Sequence, residues 1–489
     1  MDTLISLDLA PGMRRQGTVY QAKSQWYTGN LVRFFQDTIQ PIGGWEARSL
    51  SGAAISGVPR ACVTYRRNDD TQVVVVGTTR GLYAIISNVV YDITPAAIVS
   101  NNVTRVWQLD VFGNYLVAVD LLAPRTAGGM YYWTGDTTVV AAIVQPFTGI
   151  TPTSALSVVA TPERFLVAIG GLESASGWSL TGQPSRGRQV TWATQEGGFT
   201  SSDWIDAVTN TAGDFTLTTE GSLMCGRRSR GMTLLWTTTD LWAMQYIGGV
   251  LVYRFEQLGN HCGVIATNAV VVTDTAAYWM GTNGFYQHDG FTKPIPCAVY
   301  DYVFGDMNRT YEHLIWALEN PTFGEVTWWY VSSDATEIDR YVTYNYRENH
   351  WATGNLSRTC GITAQPGTTV FPVMFDASAG MWNHETGYAR NGEGTPSIES
   401  GPVEMGNGDH LVSIQKVLPD DTTVGDVTMT FYTAPNPDTA EAVSGPYSLT
   451  PLTSVRVTAR QIRVKLTEAV ATGWRVGKMR FGVLTSSRR

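Results

Sequence analysis

The chain has few of the residues that build metal centres and disulfide frameworks. Its 489 residues include 6 histidines and 5 cysteines, and only 16% of them are charged. The histidines form no pair at metal-ligand spacing, so no metal and no other cofactor is predicted. The cysteines are odd in number, scattered and never in a Cys-x-x-Cys pair, which predicts small buried thiols of a protein made in a reducing cytoplasm. They are Cys62, Cys225, Cys262, Cys297 and Cys360.

Long apolar runs are also missing. No stretch approaches the run of about 18 apolar residues that a membrane-spanning helix needs, so no such segment is predicted. The N-terminus lacks a basic region followed by an apolar run, and we therefore expect no secretory signal.

Motifs of catalysis are absent as well. There is no Gly-x-Ser-x-Gly elbow, and Gly226–Gly231 (Gly-Arg-Arg-Ser-Arg-Gly) has the wrong spacing for a phosphate loop. We predict no catalytic residue and no enzymatic activity. A pair of carboxylates for glycoside hydrolysis stays open, because such pairs converge in space and not in sequence.

A short aromatic strand pattern recurs six times between positions 58 and 360. Successive copies follow one another at about the length of one propeller blade. Such self-similarity is typical of radially repeated four-stranded sheets, since one twisted sheet cannot bury both of its faces alone. The sequence predicts an all-β fold with a β-propeller of about six blades. The copies are Gly81–Tyr83, Gly129–Tyr132, Gln189–Trp192, Asp240–Trp242, Gly284–Tyr286 and Arg340–Tyr344.

One repeat shows the predicted blade in full. Residues 312–319 and 325–332 flank an Asn-Pro-Thr-Phe-Gly connection of hairpin length. A second hairpin, formed by residues 339–346 and 350–353, follows at once, so four strands fit into about 45 residues. Helix is confined to one short candidate, Cys297–Met307.

Composition changes divide the chain into three predicted parts. Residues 1–55 form an N-terminal arm that could close the ring or pack on the C-terminal domain. Residues 56–395 form the propeller. Residues 396–489 begin within a stretch, 389–410, that is rich in Gly, Asn, Ser and Glu. They form a small C-terminal β-domain, a sandwich or a strand-exchange domain.

Basic residues are concentrated at the C-terminus. Residues 456–489 contain nine cations and the single acid Glu468, which gives them a net charge of +8. Because the net charge of the whole chain is −8, residues 1–455 carry a net charge of −16. Alternation along Gln461–Thr467 predicts a basic stripe above an apolar face. The stripe could dock on an acidic partner or on nucleic acid phosphate, or could be a solvated outer face. The candidate interface residues are Arg456, Arg460, Arg463, Lys465, Arg475, Lys478 and Arg480.

Three features follow one another in the second half of the chain: a Gly-start strand, a strand that ends in a small-residue turn and a Pro-Ile step into a short helix. They are carried by Gly259–Thr267, Ala277–Tyr286 and Lys293–Pro296. In these features the chain resembles tail nozzle proteins of short-tailed bacteriophages, also called packaged-DNA stabilisation or tail accessory proteins. Residues 234–242, 463–467 and 474–483 are also similar to this family, and residues 188–204 resemble a blade of phage propeller proteins.

The resemblance implies a structural virion protein, made in the host cytoplasm and located in the phage tail. Nozzle subunits of this family form a six-fold homomeric ring below the portal and adaptor. The ring continues the channel for double-stranded DNA, which passes without sequence-specific binding, and helps to retain and release packaged DNA. No catalytic, cofactor or metal residue is implied.

Two other functions stay open. The chain could be a propeller that binds or cleaves glycans in a phage receptor-binding apparatus, or a cytoplasmic scaffold for other proteins. The first would need exposed aromatics and convergent carboxylates at one end of the propeller axis, and the second would be monomeric.

Overall fold

The computed structural model describes residues 3–98, 100–122, 128–138, 142–143, 152–170, 172–173, 186–404, 411–419, 424–434 and 439–485. These residues are mostly in strands, and the one α-helix among them, Tyr300–Asp306, lies within the predicted helical segment. Short 3-10 helices are formed by Val19–Ala22, Arg186–Arg188, Ser201–Trp204, Gly249–Leu251 and Arg309–Leu314.

The described residues form seven consecutive antiparallel sheets that are the blades of a propeller. The first strands of neighbouring blades contact each other in order from blade 1 to blade 7, and the first strand of blade 7 contacts that of blade 1. The ring is therefore closed, with the first strands around its axis. The expected all-β fold with a propeller and a small C-terminal β-domain is confirmed.

Each blade has four principal strands. Blade 1 is Pro59–Arg66, Gln72–Thr78, Leu82–Ile86 and Val89–Asp92, with Ser51–Gly52 added in parallel; blade 2 is Arg105–Phe112, Tyr115–Leu122, Gly128–Trp133 and Ala142–Ile143, and its sheet extends to Pro152–Ala155 and Leu172–Glu173. Blade 3 is Ser157–Ala160, Leu166–Ile169, Gln189–Trp192 and Gly213–Thr216; blade 4 is Leu223–Ser229, Met232–Thr237, Leu241–Tyr246 and Tyr253–Gly259. Blade 5 is Val270–Val272, Ala277–Gly281, Gly284–His288 and Thr292–Ile295; blade 6 is Trp316–Asn320, Glu325–Tyr330, Arg340–Asn345 and His350–Asn355; blade 7 is Cys360–Ile362, Val373–Phe375, Met381–His384 and Trp45–Ala47.

The six aromatic copies read from the sequence lie on the third strands of blades 1 to 6. A seventh copy, Gly380-Met381-Trp382, follows them in the chain and lies at the start of the third strand of blade 7. The structure has seven blades where the sequence predicted about six. The difference arises because the last blade is assembled from two distant parts of the chain. Its outer strand, Trp45–Ala47, pairs antiparallel with Met381–His384.

The C-terminal residues form a two-sheet sandwich that the N-terminal arm completes. The small sheet has the order Thr3–Leu7, Met479–Thr485, Val412–Leu418, Thr453–Ala459. The large sheet has the order Ala10–Met13, Gln25–Asn30, Ser397–Ser400, Gln461–Glu468, Val427–Ala434, Ala442–Ser448, with Val403–Glu404 paired beside it. The two sheets share one apolar core, in which the rings of Phe431 and Phe481 lie 5.9 Å apart.

The arm therefore contributes to both domains. Its first three strands complete the two sheets of the sandwich, and the third also contacts the outer strand of blade 6. A hairpin, Val32–Phe35 with Thr38–Pro41, follows, and then the strand that closes blade 7. Met13 and Trp26 of the arm belong to the same apolar cluster as Trp351 of blade 6 and Val464 of the sandwich.

Three buried arginines fasten this junction. Arg33 of the hairpin donates to Glu325 of blade 6 over 3.1 Å and to Glu385, which follows blade 7, over 3.0 Å. Burial alone would disfavour its charge, but the two carboxylates outweigh burial and raise the pKa of Arg33. Arg390 donates to Glu468 of the sandwich over 2.7 Å and to the carbonyl of Ile42 in the arm over 2.9 Å.

The third arginine, Arg358, links blade 7 to the closing strand. Its Nη atoms donate to Glu393 over 3.0 and 2.7 Å, and its Nε donates to Nε2 of His384 over 2.9 Å. Its guanidinium lies 5.1 Å from the ring of Trp45. His384 must accept a hydrogen bond here, so it is held neutral. Burial first, and Arg358 second, lower its pKa well below the usual value of 6.5.

The closing strand generates the first prediction. Trp45 is 1% exposed and its ring lies 5.3 Å from that of His384. We expect Trp45→Ala to lower the free energy of unfolding by about 3–5 kcal/mol, because it empties a large buried site at the ring closure. Urea denaturation followed by tryptophan fluorescence measures this. The matched control is Phe291→Ala, an exposed aromatic, with an expected change within about 0.5 kcal/mol. Equal effects of the two changes would contradict the assignment.

The second prediction concerns pH. Well above pH 6.5 His384 is neutral in both the folded and the unfolded chain. As pH falls below 6.5 the unfolded chain binds the proton and the folded chain resists it, so the free energy of unfolding falls by up to about 1.4 kcal/mol per pH unit. His384→Gln keeps an acceptor for Arg358 but removes this titration. Its stability should therefore depend less on pH than that of the wild-type chain over the first pH unit below that value, as measured by urea denaturation. An identical slope in both proteins would show that His384 is protonated in the fold.

Candidate assembly interface and propeller axis

The structure divides the seven candidate interface residues between different faces of the sandwich. Arg456 and Arg480 lie on the solvent face of the small sheet, and Arg463 and Lys465 lie on the large sheet. Arg460 directly follows the strand that carries Arg456, and Arg475 and Lys478 lie in the segment before Met479. The seven candidates do not form one patch, because consecutive strands of the tail enter different sheets.

The solvent face of the small sheet is basic. Arg456 is exposed between the inward-facing Val455 and Val457, and Arg480 is exposed beside the inward-facing Phe481. Lys416, which lies outside the seven candidates, is on the strand between them, with its side chain over Gly482. None of the four strands of this sheet contains Asp or Glu. We name this surface, Lys416, Arg456 and Arg480, the basic face.

Arg463 is committed to contacts within the chain. It forms ion pairs with Glu399 of the neighbouring strand and with Glu441, and its guanidinium lies 5.2 Å from the ring of Tyr432. Hydrogen bonding to Glu441 and the charges of both carboxylates raise its pKa against the effect of burial. Lys465 lies opposite Glu399 and Thr430 in the same sheet. The large sheet thus presents balanced charge, and its arginine stabilises the fold.

The remaining candidates lie at the rim. Lys478 is exposed and its Nζ lies 3.6 Å from Asp8, which is exposed to a similar degree. Arg475 lines a cavity between the arm hairpin and the sandwich, together with Arg33, Phe323 and Tyr388. Neither residue extends the basic face.

The propeller axis is filled by a polar network that joins four blades. Ser157 Oγ of blade 3 and Arg227 Nη1 of blade 4 donate to Oε1 of Gln108 in blade 2, over 3.2 and 2.9 Å. The amide of Gln108 donates to Oδ1 of Asn268, which precedes blade 5, and Arg227 donates to the same oxygen over 3.2 Å. All these residues belong to, or adjoin, the innermost strands. Side chains therefore close the axis at this level.

One end of the axis opens into a cavity of about 300 Å³. Its walls are aliphatic side chains at the starts of the first strands, among them Val106, Leu156 and Leu223. Its polar side is the 3-10 helix Arg309–Leu314 before blade 6. Burial, and then the charge of Arg60, lower the pKa of His313, so its imidazole is neutral. The cavity suits a small, largely apolar ligand with a polar edge.

Exposed apolar side chains occur at the opposite end of the propeller. The turns between the third and fourth strands of all blades share one end, since every blade has the same strand order. In blade 4 this turn carries Ile247, Val250 and Leu251, of which Val250 is fully exposed. The corresponding turn of blade 5 carries Phe291, which is 82% exposed. The corresponding turn of blade 3 carries Val208, which is fully exposed. We name these five residues the apolar turns. Soluble monomers rarely expose large apolar patches. Three exposed apolar residues in one turn of blade 4, with Phe291 and Val208 on the turns of the adjacent blades, therefore mark a candidate contact surface.

These surfaces were not predicted from the sequence. Ile247-Gly-Gly-Val-Leu251 does carry a signal, because apolar residues flank a two-glycine turn where polar ones are usual. Gly248 and Gly249 have φ values of 71° and 69°, which explains the glycines and leaves the apolar residues unexplained by the turn itself. The axial cavity has no comparable signal, since its walls come from separate blade entrances.

Comparison with known proteins gives no family. No family model and no curated protein matches the chain. Solved structures that it resembles include the WD40 domain of Neurospora crassa Pan2 (10% identity, 71% of this chain and 95% of that chain, TM-score 0.38). Another is the exo-beta-1,3-galactanase of Phanerochaete chrysosporium (10% identity, 90% and 100%, TM-score 0.31). An extracellular domain from B. thetaiotaomicron matches over 72% of this chain at 10% identity and TM-score 0.36, and the chain spans 40% of its length. At these values the likenesses carry no information about ligands or activity.

The described residues contain neither a metal cluster nor a membrane-spanning helix. No group of three or more His, Cys, Asp or Glu side chains among them could hold a metal ion. No helix in the described part of the chain is long and apolar enough to cross a membrane.

The contrast between Arg463 and Arg456 generates the third prediction. Arg463→Glu places a third carboxylate against Glu399 and Glu441, and we expect it to lower the free energy of unfolding by about 1–3 kcal/mol. Arg456→Glu on the exposed basic face should change it by less than about 0.5 kcal/mol. Urea denaturation at low ionic strength measures both, and the loss for Arg463→Glu should shrink as salt screens the repulsion. If both variants are equally stable, the ion pairs of Arg463 contribute nothing to folding.

Proposed function

We propose that this chain is a structural subunit of a phage tail nozzle, a homomeric six-fold ring that continues the DNA channel below the portal and adaptor. In this role it helps to retain and release packaged DNA, and it is not an enzyme. The observation that carries the proposal is the basic face, an exposed sheet surface whose strands lack carboxylates, on a chain whose residues 1–455 carry −16. Such a division of charge favours contact between the tail domain of one copy and the acidic body of the next.

Three other features support a ring of copies. The stretches that resemble nozzle proteins include strands of blades 4 and 5 and two strands of the sandwich. The apolar turns offer a second surface for contact within the particle. The polar network closes the propeller axis, so a DNA duplex cannot pass through a single subunit. On this proposal, the DNA channel is enclosed between copies of the chain.

A second candidate function is glycan binding or cleavage, and the axial cavity favours it. Among the described residues that line the cavity Glu312 is the one carboxylate. Glycoside hydrolysis uses a pair of carboxylates that flank the scissile bond. The lining of the cavity therefore favours binding over cleavage. Binding on a glycan array, or release of reducing sugar, would support it.

Copy number tests the ring. In particles of the phage that encodes this chain, quantitative mass spectrometry should count six copies, or a multiple of six, and a particle reconstruction should place them at the tail. One to three copies, or absence from the particle, would overturn the proposal.

The basic face gives the fourth prediction. Reversing two of its charges, Arg456→Glu with Arg480→Glu, should leave the monomer as stable as the wild-type chain, because both side chains are exposed. Incorporation of the variant into particles should fall at least about tenfold, since the reversed face repels an acidic neighbour. Mass spectrometry of purified particles measures incorporation.

The matched control reverses two exposed arginines of the propeller, Arg66→Glu with Arg254→Glu, and should assemble normally. If the basic-face variant also assembles normally but changes the rate of DNA loss from the particle, the basic face contacts DNA phosphate and not a neighbouring subunit.

A further inference from the structure

Two cysteines meet where the propeller ring closes. Cys62 lies in the first strand of blade 1, and Cys360 begins the first strand of blade 7, at the far end of the propeller sequence. These two strands contact each other and form the last junction of the ring. Both cysteines therefore lie on innermost strands, at the boundary between the first blade and the last.

The two side chains share one apolar layer. Cys360 is buried in the cluster formed by Val76, Tyr83 and Phe375, and Cys62 packs against the same cluster. Burial first, and then the neighbouring thiol of Cys62, raise the pKa of Cys360 well above its usual value. Both cysteines are free thiols.

We propose that Cys62 and Cys360 form a redox pair, in which a low-molecular-weight disulfide oxidises the two thiols to a disulfide that joins blade 1 to blade 7. The Cys62 thiolate, on the more exposed residue, attacks one sulfur of the oxidant and releases one thiol. The Cys360 thiolate then attacks the Cys62 sulfur of this mixed disulfide and releases the second thiol. The protein loses two hydrogen atoms, and the oxidant gains them as two thiols.

The disulfide would be a covalent bond at the junction of blades 1 and 7, where the ring is otherwise closed by non-covalent contacts alone. Blade 7 is held to the arm by the short strand Trp45–Ala47 and by the contacts of Arg358. A disulfide between the inner strands would hold the ring closed even when that outer strand separates. A buried thiol of raised pKa reacts slowly, because the thiolate is the reactive form. On the proposed function, the pair would stay reduced during synthesis in the cytoplasm and become oxidised after particles leave the cell.

The other three cysteines provide internal controls. Cys225 is in blade 4, Cys262 lies between blades 4 and 5, and Cys297 follows blade 5. Burial raises the pKa of Cys225 and Cys262 to about 11 and that of Cys297 to about 12. A general reaction of slowly exposed thiols would therefore modify these residues as well.

The test uses the purified full-length chain with glutathione disulfide at mildly alkaline pH. We expect intact mass spectrometry to show the loss of two hydrogen atoms, and peptide mapping without reductant to show the peptides of Cys62 and Cys360 joined. The oxidised chain should unfold at a higher urea concentration than the reduced chain, and reductant should reverse the shift. Cys62→Ser and Cys360→Ser should each lack the joined peptide and the shift.

Three results would overturn the proposal. They are joining of Cys62 or Cys360 to a different cysteine, a stable glutathione adduct on Cys62 while Cys360 stays free, and full retention of both thiols. Peptide mapping of the wild-type chain decides among them even if a serine variant does not fold. The experiment needs no particle, so its outcome is independent of the copy number that tests the nozzle function.

Discussion

The fold depends on the buried junction at which the N-terminal arm meets the propeller and the sandwich. The arm supplies an edge strand to the small sheet, two strands to the large sheet and the outer strand of blade 7. Backbone hydrogen bonds alone would not determine which strand of the arm pairs with which sheet. Arg33 of the arm makes this pairing specific, because it is buried and donates to Glu325 and Glu385 of the propeller part of the chain. Arg358 and Arg390 add contacts with the arm, the first with the ring of Trp45 and the second with the carbonyl of Ile42. A buried arginine that loses its carboxylate costs about 3–5 kcal/mol, so alternative docking of the arm is strongly disfavoured.

This junction also makes the two domains interdependent. One apolar cluster runs from blades 4, 5 and 6 through Met13 and Trp26 of the arm into the sandwich. The sandwich lacks strands in both of its sheets without the arm, and the propeller lacks the outer strand of blade 7. Neither part is complete without residues 3–47, although those residues lie farthest in sequence from the sandwich. We therefore infer that the domains unfold as one cooperative unit.

The sequence was informative where local pattern and tertiary packing agree. The aromatic copies mark the third strands of six blades, because that strand is buried in every blade and carries bulky residues. Gly380-Met381-Trp382 fits the same pattern, but the seventh blade was missed because its fourth strand comes from Trp45–Ala47. The arm supplies the outer strand of blade 7 and also strands to both sheets of the sandwich. Such pairing cannot be read from segments at opposite ends of the chain.

Side-chain partners from distant segments explain the other differences. Alternation along Gln461–Thr467 placed Arg463 on the polar face of its strand, and the structure puts it there. The same alternation says nothing of Glu399 and Glu441, which arrive from other segments and neutralise Arg463. The alternation of residues along a strand thus predicts which way a charged side chain points. Whether that charge is free to bind another molecule depends on the side chains of the neighbouring segments. On the small sheet the neighbouring strands contain no acid, and this is why Arg456 and Arg480, rather than Arg463, present a net charge to the surroundings.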